Sequence, residues 1–180
     1  KYFNANIIDH HWDTHNPNDH KMFYIEFDRP LTEIKKDAFK EAGITEVILP
    51  DALETIGESA FEGNEGLASV TLQSYVTTVG KKAFYNNPNL EVVNLSERLT
   101  SIGESAFQDT GVTSLEIPGN VTRIDQNAFA NCEKLASVIF EPSEMGTLMS
   151  IGMGAFQHTG LTSLNIPRKV VGVEQEAFAD

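Results

Sequence analysis

Residues 99–117, LTSIGESAFQDTGVTSLEI, hold two apolar patterns in tandem. Leu99 and Ile102 stand three apart, Ala106 and Phe107 follow, and Val112, Leu115 and Ile117 then repeat a spacing of 0, 3 and 5. Outward from this stretch the Ala-Phe pair recurs at Ala38, Ala60, Ala83, Ala106, Ala128, Ala155 and Ala177, at separations of 22, 23, 23, 22, 27 and 22 residues. Four residues before each Ala sits a β-branched residue: Ile34, Ile56, Val79, Ile102, Ile124, Ile151 or Val173. The 0, 3, 5 triplet recurs at Met22, Ile25, Phe27, then at Ile44, Val47, Leu49, and so on to Leu161, Leu164, Ile166. A period this regular is the mark of a stacked repeat. One coil of about 22 residues buries too little apolar surface to order itself, so each must take most of its stability from its neighbours.

The L-x-x-L-x-L spacing reads as a strand with alternate inward and outward side chains. Seven such strands are predicted, spanning a rod of roughly 34 Å at the ordinary strand spacing. The second motif, as in Leu53 to Ile56, has room for a short extended segment, and the Glu-Ser-Ala-Phe that follows suits one helical turn. Gly57, Gly80, Gly103 and Gly152 are read as helix N-caps, and Gly43, Gly66, Gly111 and Gly160, just before the strands, as left-handed exits. Pro50, Pro118 and Pro167 follow strands directly, where a missing N–H ends a ladder. The expected fold is a right-handed, β-rich leucine-rich-repeat solenoid with two short extended segments and one helical turn per 22–23 residues. It covers residues 22–180 with the last of seven repeats truncated, behind an irregular segment 1–21 that caps the first coil.

Composition narrows the partners. A net charge of -13 and a sequence pI near 4.7 repel nucleic acid and anionic lipid. The chain contains no run of about 18 apolar residues, so no membrane insertion is predicted. With one cysteine, Cys132, no intramolecular disulfide forms. Spacing from Phe129 places Cys132 inward, as a buried and inert thiol.

These residues resemble the BspA-like leucine-rich repeat proteins of bacterial surfaces. The matching unit is x-L-T-x-I-G-x-x-A-F-x-x-C/T-x-x-L-x-x-V-x-I-P, seen in Leu99 to Phe107 and in Ala128 to Leu135. The resemblance implies a secreted or surface-attached bacterial protein acting in adhesion or recognition, with no catalytic residues in the repeat. Departures are Asn64 and Asn87 where Cys is frequent, and an insertion between Phe140 and Leu148. An inward Asn is expected to hydrogen-bond the backbone of the neighbouring coil. The insertion is expected to bulge at one edge without disturbing the flanking coils.

Four candidate sites remain. Residues 9–20 contain His10, His11, His15 and His20 with three Asp, donors suited to Zn or Ni. Pro17 breaks any helix that would align His11 with His15, so the preferred reading is a polar capping loop, with no metal or cofactor. The Gly57-Glu-Ser-Ala-Phe61 and Gly103-Glu-Ser-Ala-Phe107 segments begin like a nucleophile elbow, but the fifth residue is Phe and both belong to the repeat. They are decoys, and the chain is read as non-enzymatic. The sequons at Asn94 and Asn120 are read as chance. The outward strand positions form two columns: Tyr24, Glu46, Ser69, Val92, Ser114, Ser137, Ser163 and Glu26, Ile48, Thr71, Asn94, Glu116, Ile139, Asn165. This face, polar with isolated aliphatics, is the expected binding surface for a protein or glycan partner. The alternatives are a structural spacer and, third, a metal-dependent activity at the His/Asp segment. Because the chain stops at Asp180 after Ala177-Phe178, its last face is expected to be sticky and capable of end-to-end self-association.

Overall fold

The computed structural model describes the backbone of residues 23–25 and residues 30–142 and 148–180 in full. Two kinds of strand alternate along the chain. The L-x-x-L-x-L motifs form β1 (Phe23–Ile25), β3 (Ile44–Val47), β5 (Ser69–Thr71), β7 (Val92–Asn94), β9 (Ser114–Ile117) and β11 (Ser137–Phe140). The second motif forms two-residue strands: β2 (Glu33–Ile34), β4 (Thr55–Ile56), β6 (Thr78–Val79), β8 (Ser101–Ile102), β10 (Arg123–Ile124), β12 (Ser150–Ile151) and β13 (Gly172–Val173). These short strands make one continuous parallel sheet of seven, each paired in register with its equivalent one coil away. The longer strands pair only as β1 with β3, β5 with β7, and β9 with β11. Each coil is closed by a turn behind a strand, where Leu53 N–H donates to Pro50 O and Val121 N–H to Pro118 O.

Where the sequence predicts a helical turn, none forms among the described residues. The segment around Ala-Phe is instead a run of tight turns, as in Ala60 N–H to Gly57 O and Glu62 N–H to Ser59 O. The residue before each Ala and the residue three after it are left-handed in nearly every coil: Ser59 and Gly63, Lys82 and Asn86, Ser105 and Asp109, Asn127 and Asn131. The non-glycine members hold φ between 51° and 58°, a conformation L residues adopt at a cost of about 1–2 kcal/mol. The compensation is directional. A helix would point its N–H groups along its own axis, whereas here Ser59, Phe61 and Gly63 donate across to Lys81, Ala83 and Tyr85 of the next coil at 2.8–2.9 Å. The turns thus form a ladder of their own, repeated as Lys82, Phe84 and Asn86 onto Glu104, Ala106 and Gln108.

Two further expectations about glycine are corrected. Of the glycines before the strands only Gly43 is left-handed. Gly57, Gly80, Gly103 and Gly152 are needed for closeness instead: a Cβ at Gly80 would lie 2.9 Å from the Gly57 carbonyl carbon, and one at Gly103 would lie 2.7 Å from that of Gly80. Asp125 occupies the same place and keeps the equivalent bond to Ile102 O at 3.0 Å, so the position admits a side chain without loss of the ladder.

The core is a column of identical contacts. Phe39, Phe61, Phe84, Phe107, Phe129, Phe156 and Phe178 stack with ring centroids 5.2–5.6 Å apart and near-parallel planes. Beside them runs a polar column three residues after each Phe from Phe61 to Phe156. Asn64 donates to Phe39 O and Phe61 O and accepts from Ile44 N–H, while Asn87 donates to Phe61 O and Phe84 O and accepts from Asn64 N–H. The expected coil-to-coil bonds of inward Asn are therefore made. Thr110 and Cys132 continue the column, the thiol lying 3.2 Å from Phe107 O and from Thr110 Oγ1.

The seventh long strand does not form. Residues 161–166 carry no ladder, and Leu161 and Leu164 are only half-buried. The insertion leaves β12 paired with β10, as expected, while on the long-strand side the following segment packs Leu161 and Leu164 against the core without joining a ladder. Its three apolar positions have a coil on one side only, which weakens the burial that would hold it in register.

Candidate functional site

The outward columns are brought together in pairs by the register of the long strands. Tyr24 stands opposite Glu46, Ser69 opposite Val92, Thr71 opposite Asn94, Ser114 opposite Ser137, and Glu116 opposite Ile139. Asn94 Nδ2 donates to Thr71 Oγ1 at 3.0 Å. The aliphatic members project into solvent: Ile48 is 46% exposed, Val92 50% and Ile139 55%. Ser163 and Asn165 are exposed but belong to the segment off the ladder, so they do not extend the columns as strand residues. Glu26 and the candidate ligands His10, His11, His15 and His20 lie outside the described residues. Among the described residues no three His, Cys, Asp or Glu side chains converge as a metal site.

A cleft of about 370 Å³ lies beside β7 and β9, which share no ladder although Thr113 N–H donates to Glu91 O. Its walls include Val92, Asn94 and Ser114 from the columns, and Glu91, Glu97, Glu116 and Glu141. Three of these glutamates, Glu91, Glu97 and Glu141, fall outside the columns read from sequence. The turn closing a coil carries Glu97, and Glu141 follows β11, so the alternation rule that picks outward strand positions passes over both. A second groove of about 380 Å³ lies where the row of closing turns is interrupted, between Ile117, Phe140, Leu148 and Ile166.

The distribution of charge pairs is uneven. Lys36–Glu58, Lys40–Glu62, Lys81–Glu104 and Arg123–Asp125 all belong to the short strands and the turns after them. The hydrogen bond from Lys36 holds the Glu58 carboxyl below its ordinary range. On the long-strand face the corresponding pair is Lys134–Glu91, 2.6 Å.

The remaining candidates are placed plainly. Ser59 and Ser105 of the elbow-like segments are buried in the turns, with left-handed backbones, rather than presented at a strand-to-helix corner. His158 Nδ1 lies 3.1 Å from Asn131 Oδ1 at the surface of the turn stack. Cys132 is fully buried, and burial pushes its thiol up to about 11.

A stack of short parallel strands and turns with aliphatic and Phe columns defines a leucine-rich-repeat solenoid. The chain belongs to the BspA type leucine rich repeat family, whose model matches it in six copies over residues 18–136 and 55–180. Among solved structures, a leucine-rich repeat protein from Bacteroides ovatus is 26% identical with a TM-score of 0.72, over 79% of this chain and 37% of that one. The Treponema pallidum leucine-rich repeat protein is 20% identical with a TM-score of 0.62, covering 73% of this chain and 71% of that one. The pneumococcal vaccine antigen PcpA, also 20% identical, has a TM-score of 0.63 over 88% of this chain and 43% of that one. The last two likenesses concern the fold alone. The chain spans less than half the length of the Bacteroides and pneumococcal proteins. A comparison with curated proteins gave no match. Among the described residues no helix is long and apolar enough to cross a membrane.

Proposed function

We propose that the chain is a non-enzymatic recognition or adhesion module of a bacterial secreted or surface protein, binding a protein or glycan through its long-strand face. The observation that carries this reading is the set of half-exposed aliphatic side chains, Val92 and Ile139 on paired strands and Ile48 directly after β3, set among polar neighbours. Backbone held by ladder bonds presents these groups with little ordering entropy left to lose on binding. Aliphatic groups in a polar frame are the ordinary composition of a protein-binding surface. A spacer role is the second reading, supported by the evenness of the Phe column from Phe39 to Phe178.

The test probes purified extracellular-matrix proteins and glycans with three chains: wild type, an Ile48→Asp, Val92→Lys, Ile139→Asp variant, and a variant lacking residues 9–20. The expected result is loss of binding in the triple variant, with its circular dichroism unchanged. A triple variant that stays folded and binds as wild type, while the deletion abolishes binding, would move the site to the His/Asp segment. Absence of any selective ligand for all three would favour the spacer.

A further inference from the structure

We infer that Asp109, Asn131 and His158 form a one-way hydrogen-bond relay on the turn edge, which holds the neutral His158 ring as its Nδ1–H tautomer and leaves Nε2 as an acceptor. The three residues occupy the same place in successive coils, two after Phe107, Phe129 and Phe156. Each is left-handed, with φ of 58°, 58° and 52°. Each also donates its backbone N–H onward, to Ala130 O, Gln157 O and Ala179 O at 2.8–3.0 Å. Backbones fixed in this way bring the side chains into a row. Asn131 Nδ2 lies 2.7 Å from Asp109 Oδ1, and His158 Nδ1 lies 3.1 Å from Asn131 Oδ1.

Hydrogen-bond valence then sets every direction in the row. An ionised carboxylate accepts and cannot donate. Asp109 therefore takes an amide N–H of Asn131, and the opposite orientation of that amide would set two acceptor oxygens 2.7 Å apart. With Nδ2 committed, the atom that Asn131 turns to His158 is Oδ1, which only accepts. The Nε2–H tautomer would point the Nδ1 lone pair at this oxygen, whereas Nδ1–H makes the bond. Asp109 acts on the ring through Asn131, as a positioning residue. Because His158 is exposed, the turn edge gains an imidazole whose Nε2 takes a hydroxyl or N–H donor from a group that meets it. The relay also ties the coil of β12, whose following apolar triplet joins no ladder, to the coils of β8 and β10.

The experiment is long-range proton–nitrogen correlation NMR of the isotope-labelled full chain at about pH 8.5, above the ordinary imidazole range, where the shifts of the two ring nitrogens report which carries the proton. A His158→Asn variant identifies the His158 signals. The test variants are Asn131→Gly and Asp109→Gly. Both place glycine where φ is positive, so neither adds backbone strain and both should retain the wild-type circular dichroism spectrum. The expected wild-type ring is mainly Nδ1–H. Each variant should move the tautomer ratio towards Nε2–H by at least about threefold, within the range one net hydrogen bond supplies. A structural role for Asp109 without the relay would leave that ratio unmoved. A wild-type ring that is mainly Nε2–H would overturn the inference, and so would an Asp109→Gly ratio equal to that of wild type.

Discussion

Phe107 shows how much one residue carries in a stack. Its ring lies 5.2 Å from Phe84 and 5.4 Å from Phe129 and is fully buried, so truncation opens a cavity that two coils share. Phe107→Ala should lower the unfolding free energy by about 3–5 kcal/mol. A loss below about 1 kcal/mol in reversible urea denaturation would show that the column is not the core. Cys132 makes a different kind of prediction. Its thiol is raised from the ordinary 9.0 to about 11, chiefly by burial, so the folded state holds its proton more tightly than the unfolded state does. The neutral-thiol contribution is fully present below pH 9 and is lost as pH rises from there towards 11, by order of 3 kcal/mol in all. Compared with Cys132→Ala, wild type should therefore lose more stability between pH 8 and pH 10.5, and parallel pH profiles for the two proteins would contradict the assignment. At this scale the sequence was informative wherever inwardness follows from spacing, as for Cys132, Asn64 and Asn87. It could not show that Asn87 accepts from Asn64 N–H, because that bond exists only once two coils are stacked.

The turn segments and their glycines belong to the scale of elements. Left-handed residues at Ser59, Lys82 and Ser105 turn successive N–H groups towards the next coil, which a helical turn cannot do. Short Ala-Phe segments with Glu and Ser have ordinary helix propensity, and the coil-to-coil ladder overrides it. At Gly80 the constraint is contact, since a Cβ would sit 2.9 Å from the backbone of Gly57. Gly80→Ala should cost about 1–3 kcal/mol and Gly80→Val more, measured by thermal or urea unfolding. Equal stability of wild type and Gly80→Val would mean that coils separate freely at this edge. The long strands teach the complementary lesson. Their alternation predicts which side chains point outward, but not that the ladder is missing between β3 and β5 and between β7 and β9.

Across the whole molecule, each coil is stabilised mainly by its two neighbours, so protection should vary along the stack. Amides of the central turns, such as Phe84 and Phe107, should exchange slowest, and those of residues 161–170 fastest, in native-state hydrogen exchange. Phe178, 38% exposed and stacked only on Phe156, should tolerate Phe178→Ala with much less loss than Phe107→Ala. Uniform exchange rates from end to end would instead indicate all-or-none opening. The ion pairs between coils are also a property of this scale, because Lys36 meets Glu58 and Lys134 meets Glu91 only after neighbouring coils are superposed. The period of Ala-Phe pairs and apolar triplets was enough, unaided, to establish the solenoid and the inward residues of its central coils, since a one-dimensional repeat maps directly onto a one-dimensional stack; Leu31, Ile166 and Val173 of the end coils share the inward spacing yet are exposed. Folding in three dimensions settled the tandem turns, the pairing of long strands in twos, the missing ladder at residues 161–166 and the cleft beside β7 and β9. Each of these depends on backbone direction and coil-to-coil fit, which identical spacing in sequence leaves undetermined.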